Sequence, residues 1–510
     1  MCGASLDILA VRCNNLRQNV LSRNETSHST PNNNLDTTRQ HKLCKHVVSS
    51  VNLSAFATGV VIGWPSPMLP LLQQSPSPLG DDVYTMSADS SSWLGSLMCV
   101  GGLLATPAYS YMGNRHSRKL TGYLVGLPGV IGWLLVLTAR SELMLFAGRL
   151  FLGFGGAGNT ILCPLYVMEI VEDDIRGSLG TYLVLFTNAG ILFAYVVGSY
   201  ASYTTFSAIC LAVPITFVAS FFWLPETPVY LFNQNNPVAA RRALQWLRGG
   251  DAVIIEQEMT KLMEAADKGK DNRSAESSFI KNLTSKGTLK GLLIGVGLMV
   301  NNQLSGIFAV ISYTVNIFQD SGSDISPNLC TIMVGVLQLF GVYLTSTLVD
   351  RAGRKILLIV SNIASAVCLA ALGFFFYLKG HGYDVTDIGW LPVTSLSVYV
   401  VAIALGVGSI PFIVINEIFT PQMRGFAVTV CICLLNVLAF LVARFFTDLN
   451  LLLGLDGCYW FFALCCLAST FFCYFVVPET KNKSLDSILK ELAGEEITFK
   501  KADERIKVPV

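Results

Sequence analysis

Charge is what this sequence has least of. Asp, Glu, Lys and Arg make up 14% of its 510 residues, whereas a soluble domain uses about 25% to cover its surface. Water is therefore not its main solvent. A net charge of +1 offers no basic excess for nucleic acid and no acidic excess for a cationic partner. The N-terminal stretch has no apolar run of the signal-peptide kind, and Asp7, Glu25 and Asp36 argue against a transit peptide. No phosphate-binding loop is present to drive a pump with ATP, and no His, Cys or carboxylate cluster has metal or triad spacing. Neither an enzyme nor any cofactor or metal is expected. Cysteine is not scarce, at fourteen residues, but most, such as Cys99, Cys210, Cys431 and Cys466, lie inside apolar blocks. They read as small buried hydrophobes, not as a disulfide scaffold.

Hydrophobic residues are abundant, at 52%, and gather in blocks such as 120–137, 206–224, 356–378 and 461–477. Most of these approach the roughly 20 residues that cross about 30 Å of hydrocarbon as helix. An all-α membrane protein is expected, with twelve spans near 47–72, 91–112, 120–140, 144–169, 178–200, 204–224, 288–318, 328–349, 356–378, 392–419, 426–447 and 458–477. The expected division is a disordered tail at 1–46, a six-helix bundle at 47–224, a partly helical linker at 225–287, a second six-helix bundle at 288–478 and a tail at 479–510. Arg115, Arg118, Lys119, Arg176, Arg351, Arg354, Lys355 and Arg424 fall in alternate loops on the linker's side. The opposite loops carry Asp81, Asp82, Asp89, Asp320, Asp324, Asp384 and Asp387. The positive-inside rule then makes the linker side and both termini cytoplasmic. Glycosylation-like triplets at Asn24, Asn272, Asn282 and Asn482 lie on that side and are discounted.

The two halves repeat each other. Gly113 to Lys119 follows the second span and Asp350 to Lys355 the eighth; Glu169 precedes Arg176 by the same spacing as Glu417 precedes Arg424; Pro225-Glu226-Thr227 closes the sixth span and Pro478-Glu479-Thr480 the twelfth. Three ordered matches mark a duplicated six-span unit, and such halves face each other across a cavity at mid-membrane. Lys119 and Lys355 are assigned to topology. Glu169, Arg176, Glu417 and Arg424 are assigned to a salt-bridge latch on the cytoplasmic face, joined by Glu226 and Glu479, because carboxylates contribute little to topology yet recur in register. Arg149 lies inside the apolar fourth span, where a cation costs roughly 3 kcal/mol. It is a functional candidate, with snorkelling to the interface as the alternative. Gly153, Gly155, Gly156 and Gly158 in the same span serve close helix packing. Pro65, Pro67 and Pro70 in the first span, and Pro411 after Gly406 and Gly408 in the tenth, should interrupt their helices, which is where transporters place solutes and hinges. Intramembrane amides, Asn188 among them, offer the donors and acceptors a polar solute needs, with interhelical bonding as the alternative.

These residues resemble the sugar porter family of the major facilitator superfamily over about 47–485. The resemblance is carried by Asp350 to Lys355, Gly148-Arg149, Pro164 to Glu169, Pro225 to Pro228, Gln303 to Ile307 and Pro478 to Ser484. Within that family, 311–323 and Gly63 to Pro67 most resemble the arthropod facilitated trehalose transporter-like group. The resemblance implies a fold of two pseudo-symmetric six-helix bundles and facilitated carriage of trehalose or a hexose across the plasma membrane by alternating access. The implied partners are the sugar and the lipid bilayer, with one copy sufficient and the oligomeric state open. Sugar contacts are implied at Asn302, Gln303, Gln338 and Asn436, aromatic walls at Phe308 and Phe412, an outer gating aromatic at Tyr313, and latch roles for Asp350, Arg351 and Arg354.

The departures from the family pattern are as informative as the matches. Val184, Phe308, Ala404 and Phe412 stand where hexose porters usually carry Gln, Asn, Glu and Trp, and Asn114 and Ser117 where the first-half motif has Asp and Gly. No carboxylate lies in 55–59, where proton-coupled relatives place the partner of the fourth-span arginine, so uniport is expected over proton symport. Two competing functions stay open: carriage of a less polar solute, and sensing of sugar with little transport. The short tail after Ser484 argues against the sensor.

Overall fold

The computed structural model of the chain describes residues 50–75, 79, 85–170, 176–248, 252–271, 283–322, 325–483 and 485–493. The expected N-terminal tail, the triplets at Asn24, Asn272 and Asn282, and Asp81, Asp82 and Asp324 lie outside the described residues, as does the side chain of Arg176. All regular structure among the described residues is helical. The first six spans are α1 (Ser50–Leu72), α2 (Ala88–Arg115), α3 (Arg118–Leu137), α4 (Glu142–Ile170), α5 (Arg176–Tyr200) and α6 (Tyr203–Phe222). Three shorter helices follow: α7 (Pro228–Asn233), α8 (Pro237–Leu247) and α9 (Ala252–Asp271). The seventh span is α10 (Lys286–Leu304) with α11 (Ile307–Ser321), the eighth α12 (Pro327–Ala352), and the ninth α13 (Arg354–Gly380). The tenth is α14 (Leu391–Leu405) with α15 (Ile410–Ile418); α16 (Pro421–Phe475) and α17 (Leu485–Ala493) complete the chain.

Among the described residues, ten helical segments are long and apolar enough to cross a membrane. One of them lies in α16, 55 residues long, where Gly454 adopts φ 75° and breaks the helix, and Phe446 and Phe462, on either side of it, stack at 6.4 Å as the chain doubles back. A left-handed residue without Cβ makes that reversal at no steric cost, so α16 supplies two spans. Helix α2 is less apolar, but its 28 residues reach about 42 Å at 1.5 Å per residue, and it packs between α4 and α16. Twelve spans result. Their starts are written locally. Ser87, Ser117, Ser202 and Ser285 accept the amide hydrogen three residues on, and proline opens α8, α12 and α16, where its missing N–H is harmless.

The membrane end that carries α7–α9 and α17 is called here the linker end, and the opposite one the far end. At the far end a single apolar cluster joins both halves, from Trp64, Leu69 and Tyr195 in the first to Val310, Phe318, Tyr399 and Phe446 in the second. At the linker end the core is divided. Tyr166, Phe217 and Phe221 belong to one cluster in the first half, and Leu298, Val414 and Ile418 to another in the second. Contacts between halves run along α2 with α16, α5 with α12, and the second part of α1 with α11. The α2–α16 seam continues past mid-membrane, where the Ser110 and Thr429 hydroxyls meet at 2.7 Å. Packing along α4 is tight. A Cβ on Gly153 would fall 2.0 Å from the Met98 carbonyl oxygen of α2, and one on Gly101 2.1 Å from that of Leu150.

Candidate functional site

Two helix interruptions organise the centre, and each is closed by a side chain from a neighbouring span. In α1, Pro65 has no N–H to give the carbonyl of Val61, four residues back. Arg149 on α4 donates to that oxygen at 2.8 Å, and to the Leu94 carbonyl of α2 at 3.0 Å. Its third contact is the Met98 sulfur at 3.4 Å, and its guanidinium lies 5.6 Å from the Trp64 ring centre. The arginine is fully buried, so it does not snorkel. Among the described residues no carboxylate lies within salt-bridge reach of it.

In the tenth span Pro411 removes the donor for Val407 in the same way, and Asn302 on α10 donates to the Val407 oxygen at 2.8 Å. The Ser361 hydroxyl of α13 repairs the rest of that break, donating to Ala402 at 2.6 Å and accepting from the Val407 amide at 3.2 Å. Asn302 also accepts from the Gln303 amide nitrogen at 3.0 Å. Gln303 is thereby oriented, yet its buried Oε1 has no donor among the described residues. An unmet buried acceptor of this kind costs about 1–3 kcal/mol, and a solute hydroxyl is one group that would meet it.

The other amides are placed differently. Asn188 and Asn436 donate to the carbonyls of Val184 and Ile432 in their own helices, at 2.8 and 2.9 Å. The Asn436 oxygen points at Gly102 of α2, where a Cβ would fall 2.5 Å away. Gln338 is buried on α12 and makes no hydrogen bond among the described residues. Three residues before it, Gly335 packs on Leu192 and Tyr195 of α5. Phe308 packs into the far-end core and Phe412 into the second-half linker-end core, so Gln303 sits at the level between the two aromatics. Ala404 is buried against Gly341 of α12, with only 2.9 Å between its Cβ and one built on the glycine, a position made for helix contact.

At the linker end the repeat becomes geometry. Arg118 grips Glu169 with both Nε and Nη2, at 3.1 and 2.8 Å, while Glu226 accepts the amides of Arg118 and Lys119 at 3.0 and 3.3 Å. In the second half Arg354 pairs with Glu417 at 2.9 Å and Asp350 at 3.4 Å, and Glu479 accepts the amides of Arg354 and Lys355 at 3.0 and 3.1 Å. Both carboxylates that cap α3 and α13 lie where helix N-termini favour negative charge. Ser117 bonds Glu226 through its hydroxyl, whereas the matching Gly353 has φ 91° and leaves no room for a side chain beside Glu479. These ion pairs lie within each half. Arg424 donates to the Phe419 carbonyl at 3.5 Å, and the Arg351 carbonyl accepts from Lys481 at 2.6 Å.

The far end is closed by contacts between halves. Tyr195 donates to the Ile311 carbonyl at 3.0 Å. Tyr313, at a kink in α11, stacks on Phe446 at 5.4 Å and donates to Ala443 at 3.4 Å within the second half, and its hydroxyl lies 3.6 Å from where a Cβ on Gly95 of α2 would stand. Arg444 of α16 reaches Asp89 of α2 at 2.5 Å. Sequence reasoning missed two of these partners. Arg118 was available from the repeat, which aligns it with Arg354. Arg444 was available as a cation inside an apolar block.

Residues 21–492 match the family described as sugar (and other) transporter. The chain is 37% identical over 449 residues to the facilitated trehalose transporter Tret1 of Polypedilum vanderplanki, with 87% of each chain covered. It is 36% identical over 449 residues to Tret1 of Drosophila erecta, of which it spans 51%. Among solved structures it is similar to the inward open conformation of the xylose transporter XylE from E. coli, with a TM-score of 0.69 at 20% identity, covering 87% of this chain and 99% of that one. XylE is a major facilitator superfamily protein, and a likeness at this identity speaks for the fold.

Proposed function

The chain belongs to the sugar transporter family, and from that membership we propose that it is a facilitative sugar carrier. Its two halves, 47–224 and 288–478, rock about a central site while 225–287 links them. The observation that carries the reading is the asymmetry of packing. One apolar core seals the halves together at the far end, while the linker end has a separate core in each half. A carrier caught open to one side has this arrangement, and alternating access requires its reverse in turn. Gln303, oriented by Asn302 and left with an unmet acceptor, is the first sugar contact, with Gln338, Asn436 and Asn188 around it and Phe308 and Phe412 as apolar walls.

Trehalose is the leading solute, since the relatives at 36–37% identity are named for it, and a hexose is next. The basic loops support a cytoplasmic linker end and cytoplasmic termini by the positive-inside rule, and the membrane proposed is the plasma membrane. Arg149 supports uniport, because its Nε and Nη1 donate to backbone carbonyls and among the described residues no carboxylate stands within salt-bridge reach of it to carry a proton. In an outward-open state Glu169, Arg176, Glu417 and Arg424 would approach across the closing linker end as a latch. The test is uptake of trehalose, glucose and fructose by vesicles holding the purified chain, with and without a pH gradient. Uptake of at least one sugar without the gradient is expected. Strict dependence on the gradient would sink uniport, and no uptake of any sugar would sink the carrier.

A further inference from the structure

The Arg444–Asp89 pair joins the two halves where the far end must open. Arg444 projects from α16 and is held by four groups: Asp89 of α2 at 2.5 Å, its own-helix neighbour Asp448 at 3.1 Å, and the faces of Trp93 and Phe445, whose ring centres lie 5.1 and 5.5 Å away. One turn along the same seam the Ser92 and Thr447 hydroxyls meet at 2.7 Å, and Trp93 packs on Phe440 at 5.9 Å. Of these contacts, those with Asp448 and Phe445 stay within one half, and Asp448 alone among them carries a charge. When α2 and α16 separate at the far end, Asp89 leaves with α2 and Asp448 remains, so the arginine is never stripped of its counter-charge.

We propose that Asp89 and Arg444 form a releasable ionic clasp that biases the carrier toward its far-end-closed state, with Asp448 as the retained partner that keeps the clasp reversible. This rests on the alternating-access reading. Asp89 is largely exposed, with 64% of its side chain accessible, and exposed ion pairs shift equilibria modestly. Losing the clasp is therefore worth roughly a two- to fivefold change in the ratio of the two states.

The experiment is hydrogen exchange on the full chain in lipid nanodiscs, comparing wild type with Asp89→Asn and Asp448→Asn. Both variants take one carboxylate from the same arginine, but only the first cuts a link between halves. Asp89→Asn is expected to speed exchange roughly two- to fivefold at the far ends of both α2 and α16, and to slow it at the linker ends of α4 and α15. Asp448→Asn is expected to leave both regions near wild type. Three results overturn the clasp: equal effects of the two variants, no effect of either, or faster exchange confined to the first turn of α2, where losing an acid at a helix start is enough to explain it. No sugar is needed for this comparison, so a failure of the sugar-carrier reading appears in the uptake assay and leaves the clasp result readable.

Discussion

Asn302 and Gln303 are adjacent amides with different obligations. Asn302 supplies the hydrogen that Pro411 denies to Val407, so Asn302→Ala should lower the unfolding free energy by about 1–3 kcal/mol, as expected for an orphaned buried carbonyl. Gln303→Leu removes an oxygen left unmet among the described residues but takes the donor from the Asn302 oxygen, so the two offset and the thermal midpoint should change little, while sugar binding weakens about tenfold, the equivalent of one lost hydrogen bond near 1.4 kcal/mol. Thermal scans and equilibrium binding on both variants check the split; a destabilised Gln303→Leu with unchanged binding would reverse it. The sequence marks both residues as intramembrane amides but cannot divide their work, because that depends on a proline more than a hundred residues away.

Glu479 belongs to the same scale. Burial pushes its carboxyl up, but the amide hydrogens of Lys481, Arg354, Lys355 and Thr480 outweigh this and hold it below its ordinary 4.5. A carboxyl whose folded value is depressed contributes stability that is fully present above the unfolded value and lost as pH falls through the folded one. Wild type should therefore melt higher than Glu479→Gln at pH 7, and the two should converge as the pH is taken below about 4.3. Melting curves across that range test the sign. A gap that widens in acid would contradict it.

At the scale of elements, the interruptions matter most. The first and tenth spans break at Pro65 and Pro411, and in both a polar side chain from another span closes the gap. Pro411→Ala returns an N–H to the helix and favours an unbroken tenth span by up to about 3 kcal/mol. The expected outcome is slower transport with sugar affinity unchanged, read from uptake rates beside equilibrium binding; unaltered rates would mean the break is not part of the motion. Proline and glycine made both interruptions legible. The turn in α16 was less so, because 448–457, where two Asp, an Asn and two Gly are interspersed with leucines, read as a loop between spans, whereas one left-handed glycine, Gly454, interrupts an otherwise helical chain there.

For the whole molecule, twelve spans in two repeated halves could be read from apolar blocks and three motifs in register. Which end is shut could not. That depends on pairings such as Arg444 with Asp89, 355 residues apart, and on whether apolar side chains from two halves merge into one core or remain two. The measurement that bears most directly on the central claim is counterflow. Vesicles holding the purified chain are loaded with unlabelled trehalose, or whichever sugar is taken up best, and placed in a trace of the labelled sugar with no pH gradient. A carrier that exposes one site to each side in turn predicts that label accumulates transiently inside above its outside concentration, then declines. Label that only rises to equality, with no overshoot, would contradict alternating access in this protein.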